Sequence, residues 1–119
     1  MAKTIILLED NEIELVLYGR WLEKRGYQVV RQPNSKGIVT LIERYRPALI
    51  ITDLMMPGAS GVEGIQKIVT HHSVPIIAMS SRSEYLQAIN EFVAACLLKP
   101  LSDVRLLAEV DRILGTNDR

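Results

Sequence analysis

Short apolar, β-branched runs alternate five times with segments of helical periodicity, and this alternation constrains the chain more than any other feature. Thr4-Ile5-Ile6-Leu7-Leu8 reads as a strand buried on both faces, because parallel strands covered by helices on either side are apolar without alternation. Asn11 caps the helix that follows, which carries Ile13, Val16, Leu17 and Trp21 at helical spacing and ends at Gly26. Gln28 to Arg31 is a short second strand, the weakest of the set. Asn34 or Ser35 opens a second helix with Ile38, Leu41, Ile42 and Tyr45 on one face, and Pro47 stops it.

The third strand, Ala48 to Thr52, ends directly at Asp53, and Gly58 to Gly61 reads as a loop. Val62, Ile65, Ile68 and Val69 mark a third helix, Val74 to Met79 a fourth strand, and Tyr85, Ile89, Phe92 and Val93 a fourth helix. Cys96-Leu97-Leu98 is a short fifth strand ending at Lys99. Ser102 caps a last helix whose apolar stripe is Leu106, Leu107, Val110, Ile113 and Leu114. Five strands alternating with five helices predict an α/β fold around a single five-stranded parallel sheet. Right-handed crossovers leave few windings, and the doubly wound, flavodoxin-like order 2-1-3-4-5 suits a chain this short.

With 119 residues, the reading is one domain over residues 1–119, with 116–119 as a frayed tail. Fourteen basic residues balance fourteen acidic ones, so charge gives no reason to expect direct nucleic-acid binding or an anionic membrane surface. The single cysteine, Cys96, excludes an internal disulfide. Met1-Ala2-Lys3 leads straight into a strand-like segment without a signal-peptide pattern, and no apolar run approaches bilayer length. The expected location is cytoplasmic.

In sheets of this kind, ligands sit beyond the carboxyl ends of the strands, where the winding direction switches. Those ends carry Glu9 and Asp10 after strand one, Asp53 after strand three, Ser80 and Ser81 after strand four, and Lys99 after strand five. Three carboxylates brought together need a counter-charge, and a hard cation such as magnesium is the natural one. Asp10 and Asp53 bind it directly in this reading, the Met55 carbonyl adds a third protein ligand, and Glu9 acts through a bound water. Asp53 then becomes a nucleophile for in-line phosphoryl transfer, with Lys99 neutralising charge on the transferred group. The Ser80 hydroxyl hydrogen-bonds a phosphoryl oxygen once one is present. Taken singly, an acidic pair after a strand is more often a helix cap, and an Asp at a strand end a turn former. It is the joint placement at four strand ends that carries the site. His71-His72, by contrast, read as solvated loop residues, since neighbouring side chains diverge and no partner cluster lies nearby.

The ordered set resembles the receiver domain of two-component response regulators over essentially the whole chain. The acidic pair is Glu9-Asp10, and Asp53-Leu54-Met55-Met56-Pro57-Gly58-Ala59-Ser60-Gly61 matches D-x-x-M-P-x-x-x-G around the family's phosphorylated aspartate. Val74 to Ser81 resembles the strand that ends in the switch Ser or Thr, and Lys99-Pro100 matches the family's lysine and its proline. The resemblance implies that Asp53 takes phosphate from a phosphohistidine on a sensor histidine kinase or histidine phosphotransfer protein. The outcome would be a signalling switch acting on a downstream effector protein or on an output domain of a longer parent chain. It would not be a turnover enzyme beyond self-phosphorylation and self-dephosphorylation at Asp53. The resemblance also implies a cis peptide before Pro100, and a tuning of water access at Met55 and Arg82, two residues beyond Asp53 and Ser80.

The sequence departs from the family at Cys96, which stands where a Tyr or Phe usually reports phosphorylation by rotating, and Phe92-Val93 replaces the usual Gly-Ala. The segment from Ser80 to Lys99 is short, so the fourth helix is expected to be short or shifted. Cys96 itself reads as a small buried hydrophobe rather than a redox sensor. Two other functions compete with the switch. A phosphate-independent, receiver-like interaction module is favoured by the missing aromatic and opposed by the intact acidic, hydroxyl and lysine set. A phosphatase or phosphomutase with an Asp nucleophile commonly needs a second acid two residues on to protonate the leaving group, where this chain has Met55.

Overall fold

The computed structural model describes residues 2–56 and 59–115, without the side chains of 59–61 and 71. Five parallel strands form one sheet: β1 (Thr4–Leu8), β2 (Gln28–Gln32), β3 (Leu49–Asp53), β4 (Ile76–Ser80) and β5 (Ala95–Leu98), in the spatial order β2-β1-β3-β4-β5. This is the expected doubly wound arrangement. The helices are α1 (Glu12–Lys24), α2 (Ile38–Tyr45), α3 (Gly61–His71), α4 (Ser83–Ile89) and α5 (Asp103–Leu114). A short antiparallel pair, Met55–Met56 with Ala59–Ser60, follows β3 where the sequence read only a loop. Pro57, Gly58 and residues 116–119 lie outside the described residues.

Alternate residues of the central strands feed two separate cores. Ile6, Leu8, Ile50, Ile76 and Ala78 pack with Ile38, Ile42, Ile65, Ile68, Leu86 and Ile89 of α2, α3 and α4. Ile5, Leu7, Leu49, Ile51, Ile77 and Met79 pack with Tyr18, Leu22, Leu106 and Val110 of α1 and α5. The unbroken apolar runs are explained by this double burial: β1 and β3 cannot expose either face.

The helices depart from expectation in which residues they bury. In α1 the buried residues are Tyr18, Gly19 and Leu22, with Leu15 and Trp21 packed beside them. Val16 and Leu17 are exposed, and Ile13 is 79% exposed. In α2 neither Asn34 nor Ser35 opens the helix. Gly37 precedes it in the left-handed region at φ 71°, and Asn34 Oδ1 instead accepts from the Lys36 N–H. Tyr45, Val69, Tyr85 and Phe92 are exposed rather than core. The fourth helix is short, as expected: α4 stops at Ile89 and a 3₁₀ turn, Asn90–Phe92, leads into β5. His71 is the last residue of α3 and so is helical rather than in a loop, while His72 just past it is in the connection, half-buried, with its N–H on the Ile68 carbonyl.

Two caps hold as read. Asn11 Oδ1 accepts the Glu14 N–H at 3.0 Å and Ser102 Oγ the Arg105 N–H at 3.1 Å. Among the described residues no helix is long and apolar enough to cross a membrane.

Candidate metal and phosphoryl site

Strand register brings the chemistry to one edge of the sheet. Leu8 lies opposite Thr52, Asp53 opposite Met79, and Ser80 opposite Leu98. The residues at or just past these ends are therefore Glu9, Asp53, Ser80 and Lys99. Backbone hydrogen bonds extend the ladder there: the Glu9 N–H donates to Gln32 O (3.0 Å), Leu54 N–H to Met79 O (2.9 Å) and Lys99 N–H to Ser80 O (2.8 Å). The peptide between Lys99 and Pro100 is cis.

Asp53 is 4% exposed and Glu9 1%, while Asp10 is open to solvent. The two oxygens of Asp53 have different partners. Oδ1 accepts the Met55 N–H at 2.6 Å, and Oδ2 accepts from the Lys99 ammonium at 2.5 Å. Lys99 Nζ also meets Glu9 Oε1 at 2.5 Å and Glu14 Oε1 at 2.8 Å. Glu9 Oε2 in turn accepts the Asn11 N–H at 3.3 Å.

These contacts set the protonation of the groups. Burial pushes the Glu9 carboxyl up to about 7 against the pull of Lys99, and the nearby Asp53 charge adds to the rise. Burial alone would lower Lys99, but its contacts with Asp53, Glu14 and Glu9 hold it above the ordinary lysine value. Glu14 is opposed by burial yet held below the usual carboxylate value by Lys99 and by the Tyr18 hydroxyl.

Glu9, Asp10 and Asp53 each offer a carboxylate oxygen, and these atoms lie within 4.8 Å of one another. An all-oxygen, anionic donor set of that size fits a hard divalent cation. Met55, the further ligand expected through its carbonyl, opens the short strand two residues after Asp53 and is tied to it through its N–H.

Ser80 is wholly buried, and its Oγ accepts the Arg82 N–H at 3.0 Å, which leaves its own proton to donate. Arg82 is exposed, paired with Glu84 at 2.5 Å and stacked 5.4 Å from the Tyr85 ring centre. Cys96 is half-buried on β5, its Sγ 3.7 Å from Leu86 O, and it packs against the α2–α4 core.

Two residues at the site were not anticipated. Glu14 and Tyr18 reach it from α1, and the Tyr18 hydroxyl donates to Glu14 Oε1 at 2.7 Å. Their four-residue spacing puts them on one helix face, but a Glu in a first helical turn is ordinarily a charge favoured by the helix dipole.

Comparison with known proteins agrees with this architecture. The profile of the family described as "Response regulator receiver domain" matches residues 5–111. The chain is 34% identical over 113 residues to the uncharacterized transcriptional regulatory protein YrkP of Bacillus subtilis, covering 92% of this chain but only 48% of YrkP. It is 26% identical over 121 residues to the polar-differentiation response regulator DivK of Brucella anthropi, covering 97% of this chain and 98% of DivK. The structure of the response regulator TrrA from Thermotoga maritima, in complex with Mg²⁺-BeF, superposes with a TM-score of 0.87 at 23% identity, covering 94% of this chain and 99% of TrrA. That last likeness is one of fold.

Proposed function

The chain belongs to the response regulator receiver domain family, and from that premise we propose that it is a phosphoryl-accepting signalling switch modified on Asp53. The observation that carries this reading is the arrangement at Asp53: a buried carboxylate pinned by a backbone N–H on one oxygen and by Lys99 on the other, in one cluster with Glu9 and Asp10.

Glu9, Asp10 and Asp53, with the Met55 carbonyl, would hold magnesium. When bound, it supplies positive charge for the oxygens of the transferred group. The chain's own residues do the rest. The Met55 N–H fixes the rotation of the Asp53 carboxylate, so one orientation is presented to the donor. An oxygen–phosphorus bond forms from the Asp53 carboxylate as the bond from phosphorus to the donor's imidazole nitrogen breaks, and that electron pair leaves with the nitrogen. Lys99 moves its hydrogen bond from carboxylate to phosphoryl oxygen, and the Ser80 proton turns to the same group. The donor is a sensor histidine kinase or histidine phosphotransfer protein, in the cytoplasm, and the recipient of the signal an effector protein or an output domain. The chain spans about half the length of YrkP and nearly all of DivK, and either form of output fits.

Binding of the phosphoryl mimic beryllofluoride, followed by backbone NMR, tests the reading. Magnesium-dependent shifts at Ser80, Met55 and Lys99 are expected in the wild type and lost in Asp53→Asn. Absence of binding to the wild type would leave the phosphate-independent interaction module as the better account.

A further inference from the structure

Lys99 is held by more than the strand-end carboxylates. Its ammonium has three hydrogens to donate, and three carboxylate oxygens stand around it: Glu9 Oε1 and Asp53 Oδ2 at 2.5 Å and Glu14 Oε1 at 2.8 Å. The first two come from strand ends and the third from α1, so the flexible lysine stem is fixed from two layers of the fold.

The three acceptors are not equivalent. Glu9 and Asp53 belong to the oxygen cluster that fits a cation, and Glu14 does not. A cation held there would draw on the charge of both strand-end carboxylates, and transfer to Asp53 would remove one of them as a charged acceptor. Glu14 alone lies outside that cluster and is not the acceptor, so neither event would take its oxygen from Lys99 directly. Its own position is set by Tyr18, which is buried and whose hydroxyl donates at 2.7 Å to the same oxygen that meets Lys99. The Tyr18 ring is also part of the enclosure, with its centre 5.9 Å from Lys99 Nζ.

We propose that Glu14, locked by the Tyr18 hydroxyl, is a positioning residue that holds the Lys99 ammonium where the incoming phosphoryl group needs it. This rests on the switch reading above. Glu14 touches no reacting atom and acts through Lys99.

A double-mutant cycle isolates that dependence. The rate of phosphoryl uptake on Asp53 from phosphoramidate with magnesium is measured in wild type, Glu14→Gln, Lys99→Ala and the double variant. Glu14→Gln is expected to slow uptake about tenfold with Lys99 present, the scale of a misplaced catalytic group, and less than about twofold in the Lys99→Ala background. Tyr18→Phe, which removes only the hydroxyl, is expected to slow uptake about threefold and carries the same test if Glu14→Gln folds poorly. The ¹⁵N–¹H signal of the Lys99 ammonium, recorded without metal or donor, is expected to move in Glu14→Gln and Tyr18→Phe alike.

Equal slowing with and without Lys99, or an ammonium signal that stays in place, overturns the role. No uptake on the wild type removes the switch reading and this role with it. Uptake on the wild type with an additive cycle removes the role alone.

Discussion

At Asp53 the backbone and one side chain divide the carboxylate between them: the Met55 N–H takes Oδ1 and Lys99 takes Oδ2. Such fixation favours transfer, because a freely rotating carboxylate would have to be oriented at the moment of reaction. Around it, single residues are expected to set how long a phosphoryl group would last. Exposed Met55 and the Arg82–Glu84 pair flank the site in sequence, and we expect their bulk to slow attack by water. The Met55→Asn, Arg82→Glu variant should lose phosphate severalfold faster than the wild type, measured as decay of the adduct, and slower decay would refute the assignment. Cys96 illustrates burial at the same scale. Its thiol is pushed up by desolvation, and the thiolate is the reactive form. Alkylation by iodoacetamide at pH 8 should therefore run at least about tenfold slower in the folded than in the urea-unfolded chain. Because the folded thiol holds its proton more tightly, its contribution to stability is full below the unfolded value and is lost as pH rises through the folded one. Equal alkylation rates would contradict the burial of the thiol.

At the scale of elements, α1 shows how far periodicity reaches. Ile13, Val16 and Leu17 repeat at helical spacing as well as Leu15, Tyr18 and Leu22 do, so the sequence offers two apolar faces. The deciding contact is across the sheet: Leu22 meets the strand residues Ile5, Leu7 and Ile51 in one core, whereas Ile13 meets solvent. Leu22→Ala should cost about 2–5 kcal/mol in urea unfolding, and Ile13→Ala should stay within about 0.5 kcal/mol. The reverse ranking would mean α1 is rotated. The strands were legible because double burial leaves unbroken apolar runs. The start of α2 was not, because Asn34 and Ser35 have capping chemistry while Gly37 supplies the turn through its backbone. In the site, Glu9, Asp10, Asp53, Ser80 and Lys99 could be read from strand ends alone. Glu14 and Tyr18 could not, since their meeting with Lys99 depends on which face of α1 turns inward.

Across the whole molecule, two cores lock the sheet from either side and leave the carboxyl edge to hold charge. β1 and β3 sit at the centre of the sheet, so Glu9 and Asp53 are buried by the same packing that makes the strands apolar. Two buried carboxylates held by one lysine are costly to desolvate, and in the proposed reading a cation with a phosphoryl group would use the oxygens already in place. Modification is therefore expected to depend jointly on metal and on one aspartate. Intact-protein mass after incubation with magnesium and a small phosphoryl donor is the most direct test. Gain of one phosphoryl group in the wild type is predicted, lost on removing magnesium and lost in Asp53→Asn. An unmodified wild type, or an adduct that persists in Asp53→Asn, would contradict the assignment of Asp53 as the acceptor.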